Sequence, residues 1–176
     1  MILTKLIQTP LGKMIAGATH EGICMFDFEF RKMMPAIQKR ITGFLNDEFT
    51  EGNHYHFDAL EQQLDEYFSG NRKEFSLPLV FSGTEFQQKV WRALTEIPFG
   101  ATRSYLQQSK VLGDEKAIRA VARANGENCI DIIVPCHRVV GSDGSLTGYA
   151  GGLRAKKWLL EHEAKHAGVS YQAAMF

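Results

Sequence analysis

The feature that most constrains this chain is a change of character at Ser82-Gly83-Thr84. Upstream, short apolar runs alternate and break at turn residues, which is the grammar of strands. Downstream, helical periodicity is punctuated by glycine turns. With 176 residues there is enough chain for two small cores. The break therefore predicts two domains, residues 1–81 and 82–176, and an α+β class overall.

In the first part, Leu3 to Gln8 and Met14 to Ala18 read as strands around the turn Thr9-Pro10-Leu11-Gly12. Gly22 to Phe28 is a third such run. Residues 33–46 read as a helix interrupted by Pro35 and Gly43. From Phe57 to Ser69 a better helix places Phe57, Leu60, Leu64, Tyr67 and Phe68 on one face, with Gly70-Asn71 as its stop. Phe75 to Phe81 reads as extended, broken by Pro78. This is a small α/β domain.

In the second part, Thr84 and Gln87 have the spacing of a capping box before a helix over 85–96. Phe86, Val90, Trp91 and Leu94 lie on one side of it. Phe99-Gly100 turns the chain, Ser104 opens a short helix ending near Gly113, and Asp114 caps a third over 115–125. Helix, glycine turn, helix is the pattern of a helix-turn-helix. The segment AIRAVARAN leaves little bulk between Arg119 and Arg123, so it can lie close to a partner backbone. Good helix propensity with two surface arginines reads equally well.

Net charge is zero, yet it is unevenly spread. Residues 1–83 carry 8 Lys+Arg against 11 Asp+Glu, which leaves −3; residues 84–176 carry 12 against 9, which leaves +3. A mildly basic second half permits a nucleic-acid partner. No apolar run approaches the ~20 residues of a membrane span, and the N-terminus lacks an export signal. The expected compartment is the cytoplasm. Three cysteines, Cys24, Cys129 and Cys136, do not make a disulfide framework. His20, His54, His56, His162 and His166 show no ligand spacing, and Cys24 with His20 supplies only two ligands, so no metal is expected.

The chemistry concentrates in Ile130 to Gly141. An apolar, strand-like run stops at Pro135 and sets Cys136, His137 and Arg138 in a row. His137 can act as a base, and Arg138 adds positive potential; both favour a thiolate, the nucleophilic form of cysteine. By itself the dipeptide also fits a buried, inert cysteine.

PCHRVVGSDGSLTGYAGG, followed by KKWLLEHE, resembles the active-site signature of the methylated-DNA–protein-cysteine methyltransferases, the 6-O-alkylguanine-DNA alkyltransferases. TEFQQKVWRALTEIPFGATRSY and AIRAVARANGEN resemble, in order, that family's first C-terminal helices and its recognition helix with asparagine hinge. The likeness runs from about Thr84 to Glu163. It implies a ribonuclease H-like N-terminal domain and a winged-helix-like C-terminal one. The implied reaction is a single, irreversible transfer of an alkyl group from the 6-oxygen of guanine, or the 4-oxygen of thymine, to Cys136.

Carried over by position, the resemblance makes His137 the base acting through a bridging water and Glu163 the carboxylate that orients it. Tyr105 lies near the guanine oxygen, and Arg119 fills the gap left by a flipped nucleotide in a helix that reads the minor groove. Asn128 is the hinge; the family commonly has proline next, where this chain has Cys129. Tyr149, Ala150, Ser104 and the Val139 backbone contact the base or the DNA. Five glycines between Gly141 and Gly152 make a wall for an extruded base or a plain surface turn. Trp158, Leu159 and Leu160 read as core. The resemblance implies double-stranded alkylated DNA as partner, no cofactor, and a monomer with no obligatory protein partner. Its rivals are a sensor that binds without transfer, though such sensors replace the acceptor cysteine, and a thiol hydrolase that turns over.

Overall fold

The computed structural model describes residues 1–171, which form two compact units, one of residues 1–84 and one that begins at Glu85. The first is built on a four-stranded sheet in the order β3-β2-β1-β4, with β1 Ile2–Thr9, β2 Gly12–Thr19, β3 Gly22–Phe28 and β4 Phe49–Glu51. The meander β1-β2-β3 is antiparallel; β4, a strand too short to stand out in the sequence, joins β1 in parallel. Every residue of β3 is buried, which explains a continuous apolar run in place of clean alternation.

Helix α1, Met34–Leu45, is not interrupted by Pro35. The proline sits in its first turn, where no backbone donor is needed. Helix α2, Tyr55–Phe68, buries Phe57, Leu60, Leu64 and Tyr67 as the periodicity predicts, while Phe68 stays half-buried. The extended stretch near Pro78 runs alongside β3: Ile23 N–H donates to the Pro78 carbonyl at 2.9 Å and Val80 N–H to the Ile23 carbonyl at 2.9 Å. Gly22 makes this approach possible, because a Cβ there would fall 2.4 Å from the Pro78 oxygen.

The second unit is helical. Helix α3, Glu85–Thr95, buries Val90, Trp91, Ala93 and Leu94. Phe86 departs from the expected face and remains 39% exposed. The Trp91 indole N–H donates to the Ala124 carbonyl at 2.8 Å, tying α3 to α5. A two-stranded parallel ribbon pairs β5, Arg103–Ser104, with β6, Val139–Val140. Helix α4, Tyr105–Val111, opens with a full capping box between Ser104 and Gln107. Asp114 caps a short 3-10 turn, Glu115–Ala117, and only then does α5 run over Ile118–Gly126. The last helix, α6, spans Leu153–Ala167 and starts after Gly152. It buries Leu159 and Leu160 as expected, but Trp158 is 36% exposed and stacks on His162. Among the described residues no helix is long and apolar enough to cross a membrane.

Candidate active site

Residues 128 to 140 are all buried, and Ile130 to Val134 do not form the strand expected for them. The Asn128 side chain takes the backbone groups a ladder would use. Its amide N–H donates to the Val134 carbonyl at 3.0 Å, and its oxygen accepts from Ile130 N–H at 3.0 Å. Two three-residue turns follow. Ile133 N–H donates to the Asp131 carbonyl at 2.8 Å across Ile132, whose φ is 71°. This is the strained hand of the γ-turn, rare for a β-branched residue. Next, Cys136 N–H donates to the Val134 carbonyl at 2.8 Å across Pro135, at φ −82° and ψ 63°. That is the relaxed hand, to which proline's fixed φ is suited. A 3-10 turn, Cys136–Arg138, then presents three functional side chains in succession.

Glu163, on α6, gathers two of them. His137 Nε2 lies 2.7 Å from its Oε1. Arg138 donates twice, from Nε to Oε2 at 2.8 Å and from Nη2 to Oε1 at 2.9 Å, and its Nη1 reaches the Ile97 carbonyl at 2.6 Å. Burial works against the Glu163 charge, but His137 and then Arg138 outweigh it and hold the carboxyl below its ordinary range. Burial pushes the His137 imidazolium down, only partly countered by Glu163, a direction that favours the neutral ring. A neutral ring facing a carboxylate through Nε2 carries its proton there, which leaves the lone pair on Nδ1. That Nδ1 is buried and has no hydrogen-bond partner among the described residues.

Cys136 is 6% exposed, and its Sγ donates to Asp131 Oδ1 at 3.4 Å. Its setting corrects the expectation that its neighbours favour thiolate. Burial pushes the thiol up, the Asp131 charge pushes it further, and Asn128 and Lys156 oppose without prevailing. Arg138, expected to supply positive potential, spends its guanidinium on Glu163.

Tyr105, the first residue of α4, donates its hydroxyl to the Thr147 carbonyl at 3.2 Å. Burial raises its phenol, with the Thr147 bond acting in the opposite sense. Lys156 is fully buried and donates to the carbonyls of Thr147, at 3.0 Å, and Gly148, at 3.3 Å. Burial brings it down to about 8. Tyr105 and Lys156 thus pin the same stretch of the glycine-rich loop. Tyr149 on that loop stands edge-on to the His137 ring, 6.4 Å between centroids, and Ala150 follows it, half-buried. Val139 is buried in β6, and Ser104 uses its hydroxyl to cap α4. Arg119 stands apart from this cluster, exposed in the first turn of α5. Gly100 fixes how closely its turn approaches α6: at φ +80°, a Cβ built there would fall 2.5 Å from that of Ala167.

Two residues of this cluster escaped the sequence reading. Lys156 shares one helix face with Leu159, Leu160 and Glu163, a register that signals an inward lysine. Asp131 is a lone charge inside an apolar run. Among the described residues no group of three or more His, Cys, Asp or Glu side chains is arranged to hold a metal ion.

Two family models match the chain in tandem. Residues 2–81 match the 6-O-methylguanine DNA methyltransferase ribonuclease-like domain, and residues 85–165 match the DNA-binding domain of the same family. A methylated-DNA–protein-cysteine methyltransferase of Methanosarcina acetivorans is 42% identical over 158 residues, covering 90% of this chain and 96% of that one. The constitutive enzyme of that name from Bacillus subtilis is 55% identical over 104 residues, 58% of this chain and 63% of its own. Among solved structures, Mycobacterium tuberculosis OGT in complex with DNA superposes with a TM-score of 0.82 at 37% identity, covering 93% of this chain and 94% of its own.

Proposed function

The chain belongs to the 6-O-methylguanine DNA methyltransferase family, and from that premise we propose that Cys136 takes an alkyl group from the 6-oxygen of guanine in double-stranded DNA. The observation that carries the reading is a thiol one residue from a buried imidazole whose far nitrogen is bonded to Glu163. This is nucleophile, base and orienter in one turn and one helix.

In this reading, His137 Nδ1 receives the thiol proton through a bridging water. The sulfur attacks the alkyl carbon in line; the S–C bond forms as the bond to the guanine oxygen breaks. Guanine leaves as an anion, a poor leaving group, and Tyr105 offers its hydroxyl to that oxygen. No group among the described residues is placed to cleave the resulting thioether, so each molecule acts once. The reaction calls on no cofactor or metal, and one chain, acting in the cytoplasm, suffices. Thymine alkylated at its 4-oxygen offers the same in-line geometry and is a second substrate.

The reacting oxygen is stacked inside the duplex, so the nucleotide must leave the helix first. Exposed on a face of small residues, Arg119 fills the gap, as a planar guanidinium can by stacking and hydrogen bonding. Tyr149, Ala150 and the Val139 backbone receive the extruded base, Asn128 holds the turn beneath it, and Ser104 meets the DNA.

Incubation with a methylated duplex should consume one equivalent and stop, with one CH2 gained on the Cys136 peptide. Continued turnover, or a methyl group elsewhere, sinks the proposal. Arg119→Ala should slow repair of duplex by about 10- to 100-fold, the scale of a few kcal/mol of unstacking. Reaction with free 6-O-alkylguanine should stay near normal; equal slowing of both would remove Arg119 from base extrusion.

A further inference from the structure

Arg123 has no part in the chemistry above, yet it shares a helix face with Arg119. It lies on α5 one turn further along, about 6 Å up the axis. Both arginines are exposed, and Ala120 and Gly126 flank them on that face with little bulk.

The Arg123 guanidinium is held from one side. Its Nε donates to Glu127 Oε1 at 3.0 Å, and the two side chains are 83% and 18% exposed. Its terminal nitrogens make no hydrogen bond to any described residue. Glu127 is itself anchored, because its Oε2 accepts from Gln87 Nε2 on α3. An exposed arginine ordinarily samples many rotamers, and ordering it costs entropy. Here a half-buried carboxylate orders the planar group and leaves its end, Nη1 with Nη2, toward water. That pair of nitrogens matches two oxygens of one phosphate. Stability alone is a weak account of the pair: an ion pair this exposed contributes little, and Glu127 is the C-cap of α5, where the helix dipole disfavours a carboxylate.

We propose that Arg123 is a second duplex-binding residue: Glu127 positions its guanidinium through Nε, and the terminal nitrogens clamp a backbone phosphate beside the extruded nucleotide. The inference rests on the reading of α5 as the helix that enters the minor groove. That groove is about 6 Å wide and bordered by phosphates on both sides. With Arg119 in the stack, a side chain one turn further along stands at the backbone. The two arginines then have different tasks. Arg119 acts after extrusion, at a damaged site. Arg123 binds any duplex, because a phosphate contact carries neither lesion nor sequence.

The experiment is binding of a fluorescein-labelled, undamaged duplex by the full chain, titrated at several salt concentrations. Arg123→Gln should weaken binding by about tenfold and reduce the slope of log K against log salt by about one. Unchanged affinity and slope overturn the proposal. Lys39→Gln makes the same change of charge at an exposed position of α1, in the other unit, and should leave the slope as it is. Equal loss of slope in both variants means a net-charge effect and also overturns it. Glu127→Ala tests the positioning. In that background Arg123→Gln should weaken binding by less than about threefold, because the guanidinium is no longer pre-oriented. An effect as large as before, or larger, means that Glu127 does not position Arg123, and that half of the proposal falls. With methylated duplex, Arg123→Gln should raise the concentration needed for half-maximal transfer and leave the rate at saturation near normal. The same samples separate the two readings. If the unmodified chain takes no methyl group but Arg123→Gln still lowers the slope, the acceptor role falls and the clamp stands. If the unmodified chain repairs and Arg123→Gln binds and repairs identically, the clamp falls and the acceptor role stands.

Discussion

Cys136→Ala should take no methyl group from 6-O-methylguanine in duplex DNA while binding the same duplex as tightly as the unmodified chain. The substitution removes the one atom that forms the new bond and leaves the exposed face of α5 untouched. Neither of the other two cysteines can substitute. Cys129 is 3% exposed, and Cys24 is fully buried in the other unit. The fold should survive, because the main cost is one weak thiol hydrogen bond to Asp131, on the order of 1 kcal/mol. Mobility shift and mass mapping on the same samples read both halves. Methyl uptake by the variant would disprove the assignment of the nucleophile, and loss of binding would mean that the thiol turn shapes the DNA surface.

The second large effect falls on Glu163. Glu163→Gln keeps the shape of the side chain but deprives the buried Arg138 guanidinium of its counter-charge. Breaking such a pair from one side costs about 3–5 kcal/mol, and at roughly 2–4 °C per kcal/mol the melting temperature should fall by about 6–20 °C. The imidazole loses the carboxylate that fixes its tautomer, so repair should slow by about 10²- to 10⁴-fold. The pH dependence has a definite sign. The folded-state pKa of Glu163 lies below its unfolded value, so its contribution is complete above the ordinary carboxylate range and is lost as pH falls through the folded value. The difference in melting temperature between the two proteins should therefore be largest at neutral pH and shrink in acid. Equal melting temperatures at neutral pH would show that the ion pair contributes nothing.

Local signals were legible in the sequence where one segment determines its own structure. The strand meander, the apolar face of α2 and the cap of α4 all follow from spacing and turn residues. The resemblance also named Cys136, His137 and Glu163 before the fold brought them into one cluster. What was illegible depends on distant groups. Ile130 to Val134 has the composition of a strand, yet the Asn128 side chain and two i to i+2 hydrogen bonds occupy backbone groups that a ladder would use. β4 is three residues long and exists because β1 offers an edge. Charge at the thiol was misjudged for the same reason. Arg138 is adjacent in sequence but bonded to a residue 25 positions away, whereas Asp131 is folded back onto the sulfur.

Gly100 gives this architecture an indirect point of failure. The backbone there meets α6 without clearance even for a methyl group, and the same helix holds Glu163, so the carboxylate's location depends on a residue that takes no part in the chemistry. Any side chain at 100 must push α6 outward or force the turn out of its left-handed conformation. Either movement would be felt at the imidazole. An inherited change at that glycine would yield a protein with every reacting group intact and its base out of alignment.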